Sequence, residues 1–265
     1  MEDVPLKRIC GLLILLTIFM PVNAQAAEKI PILVYHSIAE YKGHGDQELY
    51  VAPDVFEKQV LYLREHGFTP LTFEDWGKLD KVEKPIFLTF DDGYKNNLQA
   101  FAVFQKLQTN DFLPKGTFFV ISDFIGRKNR LSENDLKRLA SSNLISVQSH
   151  TATHPDLTKT ENLEDELKGS KETIEQITSK PVVALSYPFG SFNERVIRET
   201  RKVYEFGLTT TPEYYMLGGK KEENAELPRL YVTGSMSMDE FADLVEGKRK
   251  KAPGFSQRLL NRIDD

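Results

Sequence analysis

Residues 86–94 read Ile86-Phe87-Leu88-Thr89-Phe90-Asp91-Asp92-Gly93-Tyr94. A short β-branched and aromatic run bounded by turn residues reads as a buried strand. Two carboxylates stand where this one ends. In parallel α/β folds the ligand site lies beyond the carboxyl ends of the strands. Adjacent carboxylates repel unless a cation or a proton lies between them. Gly93 lets the chain turn sharply enough for both side chains to reach one cavity. An Asp-Asp-Gly turn that only caps the next helix has the same composition, so the stretch gains meaning from its neighbours.

Outward from it, short apolar runs alternate with amphipathic ones. Strands are expected at 32–35, 86–90, 116–121, 144–148, 182–186, 206–209 and 229–233. Helices are expected at 53–66, 96–108, 132–141, 161–178, 193–204 and 237–245. Ser132 with Asp135 and Ser237 with Glu240 form start signals of the capping-box kind. Strand–helix alternation implies an α/β fold with a mainly parallel sheet and right-handed crossovers. About seven such units favour a barrel-like closure over an open sheet. The 265 residues suffice for one large α/β domain or two small ones, and 40% hydrophobic with 28% charged residues excludes a disordered chain. A net charge of −5 argues against a nucleic-acid partner.

The amino terminus has the order of a secretory signal: Lys7 and Arg8, an apolar run over 9–20, Pro21, then Asn23-Ala24-Gln25-Ala26-Ala27. Cleavage is expected after Ala26, with Ala24 or Ala27 as alternatives and an uncleaved anchor as the competing reading. The implied location is secreted or attached to the cell envelope. Cys10, the single cysteine, lies inside this segment, so the rest of the chain has no disulfide and no thiolate metal site. The tail carries Lys248-Arg249-Lys250-Lys251. It reads as a solvated extension, or else as a contact to an anionic envelope surface. The sequence carries no signature of oligomeric state.

A second chemical signal is Ser149-His150-Thr151-Ala152-Thr153-His154-Pro155, after another expected strand. Two of the five histidines stand four apart, on one side of a turn where neutral imidazoles can share a metal. Pro155 disfavours helix at His154. With Asp92, His150 and His154 make a two-histidine, one-carboxylate set that leaves coordination positions open. A third signal, Leu185-Ser186-Tyr187-Pro188-Phe189-Gly190, shapes a strand-end loop whose N–H groups could face an oxyanion. Serine-hydrolase elbows, P-loops and dinucleotide fingerprints do not occur.

At these residues the chain resembles the polysaccharide deacetylases with a NodB-homology domain. Asp91-Asp92-Gly93, His150-x-x-x-His154 and Pro188-Phe189-Gly190 match that family's first three motifs in order. The resemblance spans roughly residues 30–245 and divides the chain into a signal peptide (1–27), a catalytic domain (28–246) and a basic tail (247–265). It implies a distorted (β/α) barrel of about seven parallel strands. It also implies hydrolysis of linear amide bonds in an acetylated amino-sugar polymer: poly-N-acetylglucosamine, peptidoglycan or a chitin-like chain. Asp91 would be the base. Asp92, His150 and His154 would bind a divalent metal, zinc first and cobalt or nickel as alternatives. The Phe189 N–H would serve the oxyanion.

Two family features are missing. Ser186 stands where an arginine usually precedes the third motif, and no histidine follows His154 to act as acid. The motif layout is similar to that of the biofilm poly-N-acetylglucosamine deacetylases, whose acid lies in an amino-terminal Tyr-His. Tyr35-His36 matches it, and Arg229 in Leu227-Pro228-Arg229-Leu230 could supply the missing guanidinium. A structural role for His36 and a solvated role for Arg229 are the competing readings. For the whole chain, the alternatives are a polysaccharide O-acetyl esterase and a catalytically silent sugar-binding module at the cell surface.

Overall fold

The computed structural model describes residues 28–248. The expected signal segment 1–27 and the tail from residue 249 lie outside the described residues. Eight strands form one parallel sheet: β1 (Ile32–Tyr35), β2 (Thr69–Leu71), β3 (Pro85–Phe90), β4 (Gly116–Val120), β5 (Ile145–Ser149), β6 (Ala184–Ser186), β7 (Phe206–Leu208) and β8 (Leu230–Tyr231). They are hydrogen-bonded in the order β7-β6-β5-β4-β3-β1-β8, and β2 pairs with the first half of β3. The helices that return the chain are α1 (Pro53–Glu65), α2 (Leu98–Leu107), α3 (Glu133–Ser141), α4 (Ser170–Thr178), α5 (Glu194–Val203) and α6 (Met238–Val245).

The sheet curls until its edges nearly meet. A parallel bridge joins Leu208 to Leu227, and Arg229 N–H donates to the Thr211 carbonyl at 3.0 Å. This is the distorted (β/α) barrel expected from the sequence. Both strand faces are covered, which is why β3 reads as a continuous apolar run rather than an alternating one. Ile32, Phe87, Phe119, Ala184, Phe206 and Leu208 fill the interior. Leu88, Phe90, Phe118 and Val147 face outward and pack with Phe56, Phe104 and Leu139 of the helices. The turn Phe73–Lys78 closes the end of the barrel where the strands begin. There Phe73 stacks on Phe87 at 5.0 Å, and Trp76 meets Phe206 at 4.8 Å.

Six expected helices and seven expected strands occur, with ends shifted by a few residues. Pro53 opens α1, and capping boxes start α3 and α6. Two features differ. β2 has three residues with Pro70 at its centre, too little for a period-2 signal. The expected helix 161–178 is interrupted by a π-helical turn, Asp165–Gly169, before α4. No helix among the described residues is long and apolar enough to cross a membrane.

Candidate active site

The loops that leave β3, β5 and β6 meet at one end of the barrel. Asp91 and Asp92 follow β3, His150 follows β5, and Ser186 ends β6. Asp91 is buried, with 3% exposure. Arg229, fully buried at the start of β8, grips it with both arms: Nη1 to Oδ1 and Nη2 to Oδ2, each at 2.8 Å. The other N–H groups of Arg229 go to the Thr209 carbonyl at 2.9 Å, Thr89 Oγ1 at 3.3 Å and Ser186 Oγ at 2.9 Å. All five guanidinium donors are therefore in use. The Ser186 hydroxyl in turn donates a hydrogen bond to Asp91 Oδ2 at 3.0 Å. The solvated reading of Arg229 fails on its burial. Its guanidinium holds Asp91, and Ser186 joins the same network. Burial alone would raise the Asp91 carboxyl, but the charges of Arg229 and then His150 hold it at about 2.

Asp92, His150 and His154 form the one group of metal-ligating side chains among the described residues. Their donor atoms all lie within 4.8 Å of one another. Asp92 Oδ1 is 3.4 Å from His150 Nε2 and 3.6 Å from His154 Nε2. Metal–ligand bonds of about 2.0–2.2 Å at a tetrahedral centre put donor atoms roughly 3.4 Å apart. His150 Nδ1 lies 2.8 Å from the Ser186 carbonyl. A carbonyl only accepts, so Nδ1 carries a proton, and Nε2, on the Asp92 side, is the nitrogen left for a cation to take. The donor set fits a divalent cation. With three protein donors it fits an open site rather than a closed structural one.

The same three side chains act on one another's charge. Burial raises Asp92, but its hydrogen bond to His150 and the nearby His36 charge hold it well below the usual carboxylate range. His150 is raised despite burial, chiefly by Asp91 and then by Asp92. His154 falls to about 4, through burial and then the His150 charge.

Four site residues occupy the left-handed region: Asp92 (φ 73°), Thr151 (φ 67°), His154 (φ 65°) and Phe189 (φ 58°). Such strain persists only where surrounding contacts over-determine it. Gly190 (φ 66°) lets the Phe189 turn close, because a Cβ there would lie 2.0 Å from Thr210 Oγ1. The Phe189 ring then packs on His154 with centroids 4.7 Å apart. His36 is 7% exposed, and its ring lies parallel to Tyr231 at 6.0 Å. Burial pushes its imidazolium below the ordinary value, and the Asp92 and Asp91 charges oppose that.

Sequence reading missed Arg130, Tyr231 and Glu166. Arg130 donates to the Asp92 carbonyl at 2.5 Å and covers the Tyr94 ring at 4.2 Å. Tyr231, on the last strand, stands two positions after Arg229, and that spacing was its only signal. Of the aromatic rings near these motifs, Phe87 and Tyr187 are core residues, whereas Tyr94 is half-buried beside Asp92.

The model of the polysaccharide deacetylase family matches residues 78–206. That span includes Asp91, Asp92, His150, His154 and Phe189 but neither His36 nor Arg229. The crystal structure of a polysaccharide deacetylase from Bacillus cereus is 45% identical and superposes with a TM-score of 0.81. The match covers 83% of this chain and 69% of that one. The Bacillus subtilis protein YxkH, whose name places it among the polysaccharide deacetylases, is 30% identical over 237 residues, 86% of this chain and 80% of that protein. The peptidoglycan-N-acetylmuramic acid deacetylase PdaA of Bacillus subtilis is 36% identical over 126 residues, 46% of this chain and 44% of its own.

Proposed function

The chain belongs to the polysaccharide deacetylase family, and from that premise we propose that it hydrolyses N-acetyl groups on an amino-sugar polymer outside the cytoplasm. The observation that carries the reading is Asp91 itself. It is a buried carboxylate held ionised by Arg229 and set beside, rather than within, a three-ligand cation group. Sugar binding alone has no use for such a base.

A divalent ion at Asp92, His150 and His154, zinc first and cobalt or nickel as alternatives, would lower the pKa of water and polarise the acetyl carbonyl. Asp91 accepts the proton of the attacking water, oriented by Arg229 and Ser186. The Phe189 N–H faces the developing oxyanion. His36, as imidazolium, donates to the departing sugar nitrogen. Burial works against that charge, and the two aspartates work for it. The substrate class is poly-N-acetylglucosamine, peptidoglycan or a chitin-like chain. Export by the amino-terminal segment would place the enzyme where such polymers lie.

Acetate release from N-acetylglucosamine oligomers and from peptidoglycan, with zinc or cobalt added, tests this. Asp91→Asn and His36→Ala should each lower kcat by about 10²–10⁴ with protein folding intact. Release that survives His36→Ala removes the acid assignment and keeps the rest. No release from any N-acetylated polymer, with release from acetylated xylan, makes the chain an O-acetyl esterase instead.

A further inference from the structure

A buried carboxylate without a cation beside it is stable only when hydrogen-bond donors surround it. Glu166 is 8% exposed. The ion pairs on its helical segment use Glu164, Glu172 and Glu175 instead. Its oxygens turn to the loop after β5. Oε2 accepts the N–H groups of Ala152 and Thr153, each at 2.9 Å, and Oε1 accepts the Thr153 hydroxyl at 2.5 Å. Ala152 and Thr153 lie between His150 and His154.

The backbone explains how an acidic residue comes to face inward here. Asp165–Gly169 is a π-helical turn at the entry to α4, and such turns gather at functional sites. Glu164 and Asp165 are exposed, whereas Glu166 and Leu167 are both buried. One helical turn further, Ser170 Oγ lies 2.9 Å from Ser149 Oγ, which accepts the Thr151 N–H at 3.2 Å. Thr151 Oγ1 in turn accepts the His154 N–H at 3.0 Å.

The loop needs this grip. Thr151 and His154 hold φ values of 67° and 65°, which a β-branched residue in particular does not adopt unaided. Released from those values, the two imidazoles would no longer converge on Asp92.

The geometry points to Glu166 as the positioning residue of the two-histidine loop: its carboxylate fixes the backbone between His150 and His154 so that their Nε2 atoms reach Asp92. The inference rests on the reading of Asp92, His150 and His154 as cation ligands. Glu166 touches neither ligand atoms nor substrate, and it acts through the chain between them.

Cobalt(II) titration of the purified chain, followed by visible absorption, tests it beside Glu166→Ala and Glu166→Gln. Thermal melts of the metal-free proteins are recorded in parallel. Glu166→Ala should bind cobalt about 10–100-fold more weakly and with an altered absorption band. Glu166→Gln should retain most of the affinity, because its amide oxygen can take both backbone N–H groups and its NH2 can donate to Thr153. Wild-type affinity and band in Glu166→Ala, even with a lower melting temperature, overturn the inference. If that variant does not fold, Glu166→Asp decides: it keeps the charge but is too short for the contacts, and unaltered cobalt binding would count against the role. A wild-type chain that binds no cobalt overturns the ligand reading and this inference together, a result distinct from variants that bind as the wild type does.

Discussion

Arg229 has no spare donor, and that fact sets what a substitution there does. Lysine keeps the charge but offers a point-like ammonium, which cannot span both Asp91 oxygens, Thr89, Ser186 and the Thr209 carbonyl. Arg229→Met removes the charge and leaves Asp91 buried without its partner, a change that typically costs about 3–5 kcal/mol. Arg229→Lys should cost less stability, yet lower kcat by roughly 10²-fold because Asp91 loses its orientation. Urea unfolding and steady-state acetate release would check both. A Lys variant with wild-type kcat would mean that Asp91 needs no guanidinium. The residues legible in the sequence were those whose partners stand within a few positions, such as Asp91 with Asp92 and His150 with His154. Arg229 lies 138 positions from Asp91, and no local pattern separates a buried guanidinium from a solvated one. Glu166 was hidden for a related reason, since in an acidic helical stretch nothing marks which carboxylate turns inward.

Among the elements, the turn Phe73–Lys78 shows how a polar residue holds an apolar plug. Asp75 closes a capping box with Thr72 and pairs with Lys78 at 2.5 Å and Lys115 at 2.7 Å. Burial raises its carboxyl, but hydrogen bonds from Lys115 and then Lys78 bring it from 3.8 to about 2. A carboxylate depressed in the folded state adds stability above its unfolded pKa and loses it as pH falls through the folded one. The full shift corresponds to about 2 kcal/mol at 1.36 kcal/mol per pH unit, and because Lys78 is exposed and the pairing screened, Asp75 contributes on the order of 1 kcal/mol at neutral pH, fading between about pH 4 and pH 2. Asp75→Asn should therefore unfold more easily than the wild type at pH 7, and the two chains should converge near pH 2. Equal stabilities at pH 7 would show that the exposed Lys78 and solvent screen the pairing away. The turn itself was not legible, nor was β2 just before it. Both are too short for periodicity, and Phe73 and Trp76 become core residues only because the barrel presents Phe87 and Phe206 to them. The longer strands and the capped helices were legible because each carries its own start and stop chemistry.

At the scale of the molecule, closure of the barrel rests on contacts that no local pattern announces: the Leu208–Leu227 bridge and the Arg229 arm that ties β8 to β3. The count of strand–helix units suggested closure, but its geometry came from these long-range pairs. A divalent cation would add a third tie, because its ligands come from the loops after β3 and β5. A cation that binds only the folded chain stabilises it by RT ln(1 + [L]/Kd), about 2.7 kcal/mol at a hundredfold excess over Kd. For a chain of this size each kcal/mol moves the melting temperature by roughly 2–4 °C, so zinc should raise it by roughly 5–11 °C and a chelator should reverse the rise. Asp92→Ala should abolish the zinc-dependent part, read as the difference between the zinc-loaded and chelated melting temperatures of each chain. The variant matters because zinc can also stabilise a protein through adventitious surface sites. A zinc-dependent rise that persists in Asp92→Ala would assign the stabilisation to such sites and leave the three-ligand group without support.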